Sequence, residues 1–363
     1  MGTAPESRAR GRDALAAALR RTGDVMERKQ QVFGVTVRWA VGLGILGVGA
    51  SALVVAGAGA PRAPALMGGC PSAGCGQNSP DVDKSPIHGL NLDGIARAGV
   101  RLVPGSLRGG HCRGRRAMSL GVVEGGFVGV AAGTPVAVCA GADLVGATFE
   151  LELAGERVLI EIAARTSVAT WERDATSLPA YLLRRAGADR APLCTTTDPR
   201  AILVSGELYD ARDATVAPVP VTERQRWFNV ACLDSGLAKM RRLGLDPGVT
   251  DRASPRWSSA DERQATLKMI TARYCGARSY TADGTTIQWR RGGPPAAGPG
   301  PVEAVWGADG AICLSHPRAQ PGADSTLADA IRATCGIPVC AASPAVGGRQ
   351  WLTRTLDGGL APR

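Results

Sequence analysis

The chain has 363 residues, a net charge of +10, 45% hydrophobic but only 4% aromatic residues, so a sizeable core is available and must be built mainly from Val, Leu, Ile and Ala. Positive charge can signal a nucleic-acid partner. Here the basic residues are nearly all Arg and scattered, with Lys only at Lys29, Lys84, Lys239 and Lys268, and no basic helix or aromatic-interleaved Arg stripe occurs, which excludes nucleic acid.

Residues 1–38 form a basic tail with eight basic and four acidic side chains, and a short helical piece fits Asp13 to Arg21. Trp39 to Ala60 follows, 22 residues without a charge. A helix needs ~20 apolar residues to span a bilayer, and an Arg excess before the span keeps that end in the cytoplasm. Two readings stay open. One is a retained signal anchor over 39–60, with the N-terminus inside and the bulk outside. The other is a cleaved signal peptide, starting at Met1 or at Met26, with Ala56, Ala58 and Ala60 supplying an A-x-A cleavage site. Either way the predicted location is the cell envelope, as a single-pass membrane protein or a secreted one. Gly42, Gly44 and Gly47 spell a dinucleotide fingerprint, but no strand precedes it and no acidic residue follows at the right distance, so no cofactor is expected.

Residues 61–116 are rich in Pro and Gly and read as a linker. Met67-Gly-Gly-Cys70 only loosely matches a lipoprotein box. The globular domain is expected over 117–345, with 346–363 as a C-terminal tail. Val122 to Ala140 suggests a hairpin or two short strands. Thr148 to Leu153 alternates strictly, Phe149, Leu151 and Leu153 against Glu150 and Glu152, and turns at Ala154-Gly155 into Val158 to Ile162. Two carboxylates two apart share one face of a strand; the solvated face of a hairpin is the simpler account of Glu150 and Glu152. Ala201 to Leu208 is a further strand. Val230, Leu233, Leu237 and Met240, spaced three and four apart, predict a helix closed by Gly244. Ser259 to Glu262 is a capping box opening a second helix, with Leu267, Ile270 and Tyr274 as its apolar face. A strand over Thr286 to Arg290, a flexible Gly292 to Pro301, a hairpin of Val302 to Trp306 and Ala311 to Leu314, and a helical piece over Ser325 to Thr334 complete the chain. The expected fold class is α+β, antiparallel β-hairpins packed with two central helices and stabilised by disulfides.

Ten cysteines, an even number, in a chain with an export signal read as a disulfide set. Cys70 and Cys75 lie in the linker. The candidates in or beside the globular domain are Cys112, Cys139, Cys194, Cys232, Cys275, Cys313, Cys335 and Cys340, with connectivity open. Paired C-x-x-C motifs are absent, which argues against a metal site.

Four segments in order resemble the ADYC-domain proteins, exported bacterial proteins frequent in myxobacteria. They are Trp227 to Lys239, Met269 to Cys275, Ser279 to Thr285 and Ala304 to Pro317. The signature itself is Ala272, Arg273, Tyr274 and Cys275, with Arg in place of the family's Asp. The resemblance further implies a Cys at the positions of Met240 and Thr266; losing both together corresponds to removing one disulfide between the two helices. It implies export and fold and supplies no catalytic residue.

What chemistry remains is thin. Three His and no G-x-S-x-G motif argue against a serine hydrolase. Asp283 and Asp309 each precede Gly in a turn, where Asp bonds its own backbone. The expected function is a non-catalytic envelope module, tethered to the membrane through residues 39–60 or secreted, that binds an envelope protein or a glycan. The alternative is an exported hydrolase or thiol enzyme using Cys313 and His316.

Overall fold

The computed structural model describes residues 81–355, apart from 83–84, 113–117, 132–135, 172–175, 188–189, 211–214, 221, 255, 281–286, 294–299 and 319–324. The 39–60 span, the Cys70–Cys75 region and Asp283 lie outside the described residues. No helix among the described residues is long and apolar enough to cross a membrane.

In chain order the elements are β1 (Asp81–Val82), β2 (Ser85–Pro86), β3 (Leu90–Asn91), β4 (Val100–Leu102), β5 (Arg108–Gly109), β6 (Met118–Val123), β7 (Gly126–Ala131), β8 (Ala137–Ala140), β9 (Ala147–Leu153) and β10 (Glu156–Ala169). Next come β11 (Ser177–Arg185), β12 (Arg200–Ser205), β13 (Glu207–Asp210), β14 (Thr215–Pro218), β15 (Trp227–Cys232), α1 (Gly236–Arg242) and α2 (Ala260–Ile270). The last are β16 (Ile287–Gly293), β17 (Val302–Gly307), β18 (Gly310–Leu314), α3 (Ser325–Cys335) and β19 (Val346–Thr355).

The α+β expectation is overturned: the protein is mostly β, and its main sheet curls into a nearly closed barrel. That sheet runs β3-β15-β12-β11-β10-β9-β4, with β5 also pairing β9, and every pairing is antiparallel. A second sheet, β16-β19-β17-β18, and a third, β6-β7-β8, stand beside it. Strands β3 to β5 lie within the 61–116 stretch and β19 within the 346–363 tail, so both contribute to the packed structure. Ile87, Leu90, Val100, Leu102 and Leu107 are core residues.

Local rules explain the hairpins. β9 alternates buried and half-buried residues along its whole length. Its two-residue turn to β10 places Ala154 at φ +50° and Gly155 at φ +92°, the left-handed pair that matches strand twist. Glu124 and Gly125 repeat that solution between β6 and β7.

The first predicted helix starts late. Val230 is a strand residue of β15, and the helix begins only at Gly236, with Ser235 Oγ accepting from Ala238 N–H. β15 is buried at all six positions, so its apolar run carries no alternation and blends with the helical spacing beyond it. The second helix starts where the sequence places it, with Ser259 Oγ accepting from Glu262 N–H at 3.2 Å. The other half of the box is not formed; the Glu262 carboxylate pairs with Arg291 instead. Tyr274 lies beyond α2.

Two cores share the central strands. Along β12, Ala201 and Leu203 face the barrel interior while Ile202 and Val204 face the second core. Phe127 fills the barrel, with ring centroids 4.8 Å from Tyr181, 5.9 Å from Phe149 and 6.0 Å from Phe228. The second core joins α1, α2, Trp306 of β17 and Trp351 of β19. Fully burying an aliphatic side chain contributes ~1.5–3 kcal/mol, and the central strands gain this on both faces, while α1 and α2 add Leu237, Met240, Leu267 and Met269 to the second core.

Candidate functional site

The signature residues follow α2 directly and form a corner. Ala272 takes φ +46° and is buried, and its carbonyl accepts from Tyr280 N–H at 3.2 Å. Tyr274 stacks on Trp306, centroids 5.0 Å apart and planes 23° apart. Its hydroxyl donates to Glu303 Oε1 at 2.8 Å and accepts the Arg318 N–H at 2.7 Å. Arg318 Nε also donates to Glu303 Oε2, and its Nη1 to Ile270 O. Burial holds the Tyr274 hydroxyl well above its usual pKa; the Glu303 charge pushes the same way and Arg318 opposes. Tyr274, Glu303 and Arg318 are therefore a buried fastening between α2 and β17. Arg273, which stands where the family has Asp, is itself only 2% exposed.

Tyr274, Cys275, Asp309, Cys335, Ile337 and Gln350 line an open cleft of about 410 Å³ at the β17–β18 turn. Gly310 closes that turn at φ +129°, and a side chain there would overlap the Tyr274 carbonyl oxygen.

All eight cysteine candidates are paired: Cys112 with Cys139, Cys194 with Cys232, Cys275 with Cys335, and Cys313 with Cys340. The Cys313/His316 alternative is thereby overturned. A sulfur bonded to Cys340 offers no thiolate, and thiolate is the nucleophile. Glu150 and Glu152 pair with Arg157 and Arg101 on the outer face of the hairpin, a solvated ladder. Asp309 sits in the β17–β18 turn.

A second constellation was not foreseen. Trp171 follows β10, and its backbone N–H donates to Arg242 O at the end of α1, 2.7 Å away. The Arg242 guanidinium lies 4.3 Å from the Trp171 ring centroid, and its Nε donates to Ala169 O at 3.2 Å. Trp289 of β16 meets Trp171 at 5.8 Å between centroids. Beside them Arg200 grips Asp198 through Nε and Nη2, and Asp198 N–H points at Asp234 Oδ2, 3.4 Å away. All six side chains are half-buried. Burial pulls the Arg242 pKa down while Asp198 and Asp234 push it up; the Arg200 hydrogen bond holds Asp198 below its usual value. Chemically this is an aromatic surface edged by donors and acceptors. No local pattern in the sequence marks these residues.

Among the described residues no group of His, Cys, Asp and Glu is arranged to hold a metal ion. The family model of the ADYC domain matches residues 141–320, so the chain carries an ADYC domain. No curated protein and no solved structure matches it.

Proposed function

We propose that the ADYC domain of this chain is an extracytoplasmic binding module of the cell envelope, tethered through residues 39–60 or released by cleavage after them. The observation that carries this reading is the set of four disulfides. Such bonds persist in oxidising compartments and are rare where glutathione and thioredoxin keep thiols reduced. They cross-link the barrel, the β8 edge, the signature corner and the β18 edge, so reduction would loosen every layer. The uncharged run from Trp39 to Ala60 behind a basic tail supplies an export element. The Trp171–Arg242 surface supplies a contact area of the composition favoured in recognition, since Trp and Arg dominate binding hot spots.

Fractionation of cells under non-reducing alkylation, with N-terminal sequencing, tests the reading. An intact Met1 or Gly2 in the membrane fraction is the outcome expected of an anchor; a new terminus between Gly57 and Pro61, or near Leu66, is that of a signal peptide. Full-length chain in the cytosol with reduced thiols overturns export in both forms.

A further inference from the structure

Two tryptophans far apart in sequence converge at the surface, and what surrounds them defines a ligand chemistry. Trp171 is held by its backbone, through the N–H that donates to Arg242 O, so its ring is positioned without being sealed into the core. Trp289 packs one side against the second core and presents the rest beside Trp171. Indole rings give large, rigid contact area with few rotors to freeze. The electron-rich ring surface that Arg242 does not cover suits the polarised C–H face of a pyranose.

The rim is equally specific. Among the described residues only Nε of the Arg242 guanidinium is hydrogen-bonded; the group lies over one face of the Trp171 ring, 4.3 Å from its centroid, with its Nη groups as donors beside that ring. Asp234 and the Asp198–Arg200 pair add carboxylate acceptors next to it. Vicinal sugar hydroxyls, each both donor and acceptor, match such an alternating edge. Among the described residues of this surface, Arg200 and Arg242 cancel Asp198 and Asp234 in charge, which suits an uncharged ligand despite the chain's net +10. A protein partner would call for a broader apolar centre than one aromatic pair ringed by charges.

We infer that the Trp171–Arg242–Trp289 surface, with Asp234 and the Asp198–Arg200 pair at its rim, binds an uncharged pyranose glycan. The inference rests on the binding-module reading and gives that module its ligand class.

Titrating the full-length protein with hexasaccharides of glucose, N-acetylglucosamine, mannose and xylose, and pelleting it with purified peptidoglycan sacculi, tests this. Expected is quenching of Trp fluorescence by at least one hexasaccharide or co-sedimentation with sacculi, persisting at high salt. Trp171→Ala and Trp289→Ala should each weaken it ~10-fold or more, which is about 1.4 kcal/mol. Trp171→Phe should retain most of the binding, and Trp257→Ala, at another surface tryptophan, should match wild type. Thermal melts of every variant separate lost binding from lost folding. Wild-type affinity in a folded Trp171→Ala protein overturns the site. Binding to none of the five probes, or to the charged sacculi alone with loss at high salt, overturns the glycan. Loss of a defined protein partner on Trp171→Ala, without glycan binding, also overturns it while leaving the module reading intact. Cytosolic, reduced protein is the separate result that would remove that reading.

Discussion

Tyr274 donates its hydroxyl to Glu303 at 2.8 Å inside a core that holds Glu303 at 0% exposure. A buried carboxylate is tolerated only when paired and hydrogen-bonded, and Arg318, its Nε 2.9 Å from Glu303 Oε1, completes the set. The arrangement has a counterpart. Tyr209 donates to Glu207 at 2.8 Å, and Glu207 pairs with Arg263 near the start of α2. The short helix is thus fastened near each end by a Tyr–Glu–Arg set, and the family signature supplies the tyrosine of one of them.

Removing single members should be unequal in cost. Tyr274→Phe deletes one hydroxyl and leaves the buried Arg318 N–H unpaired, while Arg318 still holds the Glu303 carboxylate, a loss of ~1–3 kcal/mol. Glu303→Gln strands the buried Arg318 charge and should lose ~3–5 kcal/mol, as should Glu207→Gln with respect to Arg263. Urea titrations under oxidising conditions read both. Equal, sub-kcal/mol losses would mean that these groups are solvated.

Gly310 and Gly155 make a matched pair of turn positions, both at positive φ. At Gly155 a Cβ meets nothing within 4 Å, whereas at Gly310 it overlaps Tyr274 O. Gly155→Ala should therefore cost only the backbone strain, ~1–2 kcal/mol. Gly310→Ala should cost more, because the signature corner must also move. Comparing the two variants by thermal melting checks the order; the reverse order would show that the turn does not abut the corner.

The difference between what was legible and what was not follows from burial. Thr148 to Leu153 could be read because one face is wet and the other dry, so the period appears in the residues. β15 could not, since barrel and second core bury both its faces and erase the period. Leu90, Val100 and Leu102 carry no legible period, because strands of two or three residues among Pro and Gly show no repeat. The Ser259 cap was legible from local spacing, but its Glu262 was drawn away by Arg291, a partner 29 positions on. The candidate surface at Trp171, Arg242 and Trp289 depends wholly on tertiary convergence, and no local pattern in the chain encodes it.

Stability should respond to alkali through the tyrosines. Tyr181, Tyr209 and Tyr274, three of the four in the chain, all have pKa values raised by burial. In the unfolded chain a phenol ionises near pH ~10. A folded pKa above the unfolded one contributes stability that is complete below about pH 10 and is lost as pH rises through the folded values. The urea midpoint should hold level up to about pH 10 and fall beyond it, with phenolate absorbance from these three rising together with unfolding. Phenolate signal from all four tyrosines before any unfolding would contradict the buried placement. Asp198 acts in the opposite sense: its lowered pKa adds a small stabilisation that is lost as pH falls below the ordinary Asp range.

The disulfide pattern gives the most direct chemical check, because the four C-terminal cysteines could pair in several ways. Cys335 and Cys340 are close in sequence, yet each reaches elsewhere: Cys335 ends α3 and joins Cys275 at the signature, 60 residues away, while Cys340 joins Cys313 on β18, 27 away. One bond holds α3 to the signature corner, and the other holds the segment after it to β18 of the second sheet. Proteolysis without reduction should yield peptides linking 275 to 335 and 313 to 340, with none linking 335 to 340. The Cys194–Cys232 bond closes a loop of 38 residues inside the barrel core. Replacing both cysteines by Ala should cost ~2–5 kcal/mol. The Cys112–Cys139 bond ties down an edge strand of the third sheet. Removing it should loosen β8 locally, seen as faster amide exchange there, with a smaller fall in the global melt. A map that joined Cys335 to Cys340 would free α3 from the signature corner and contradict this packing.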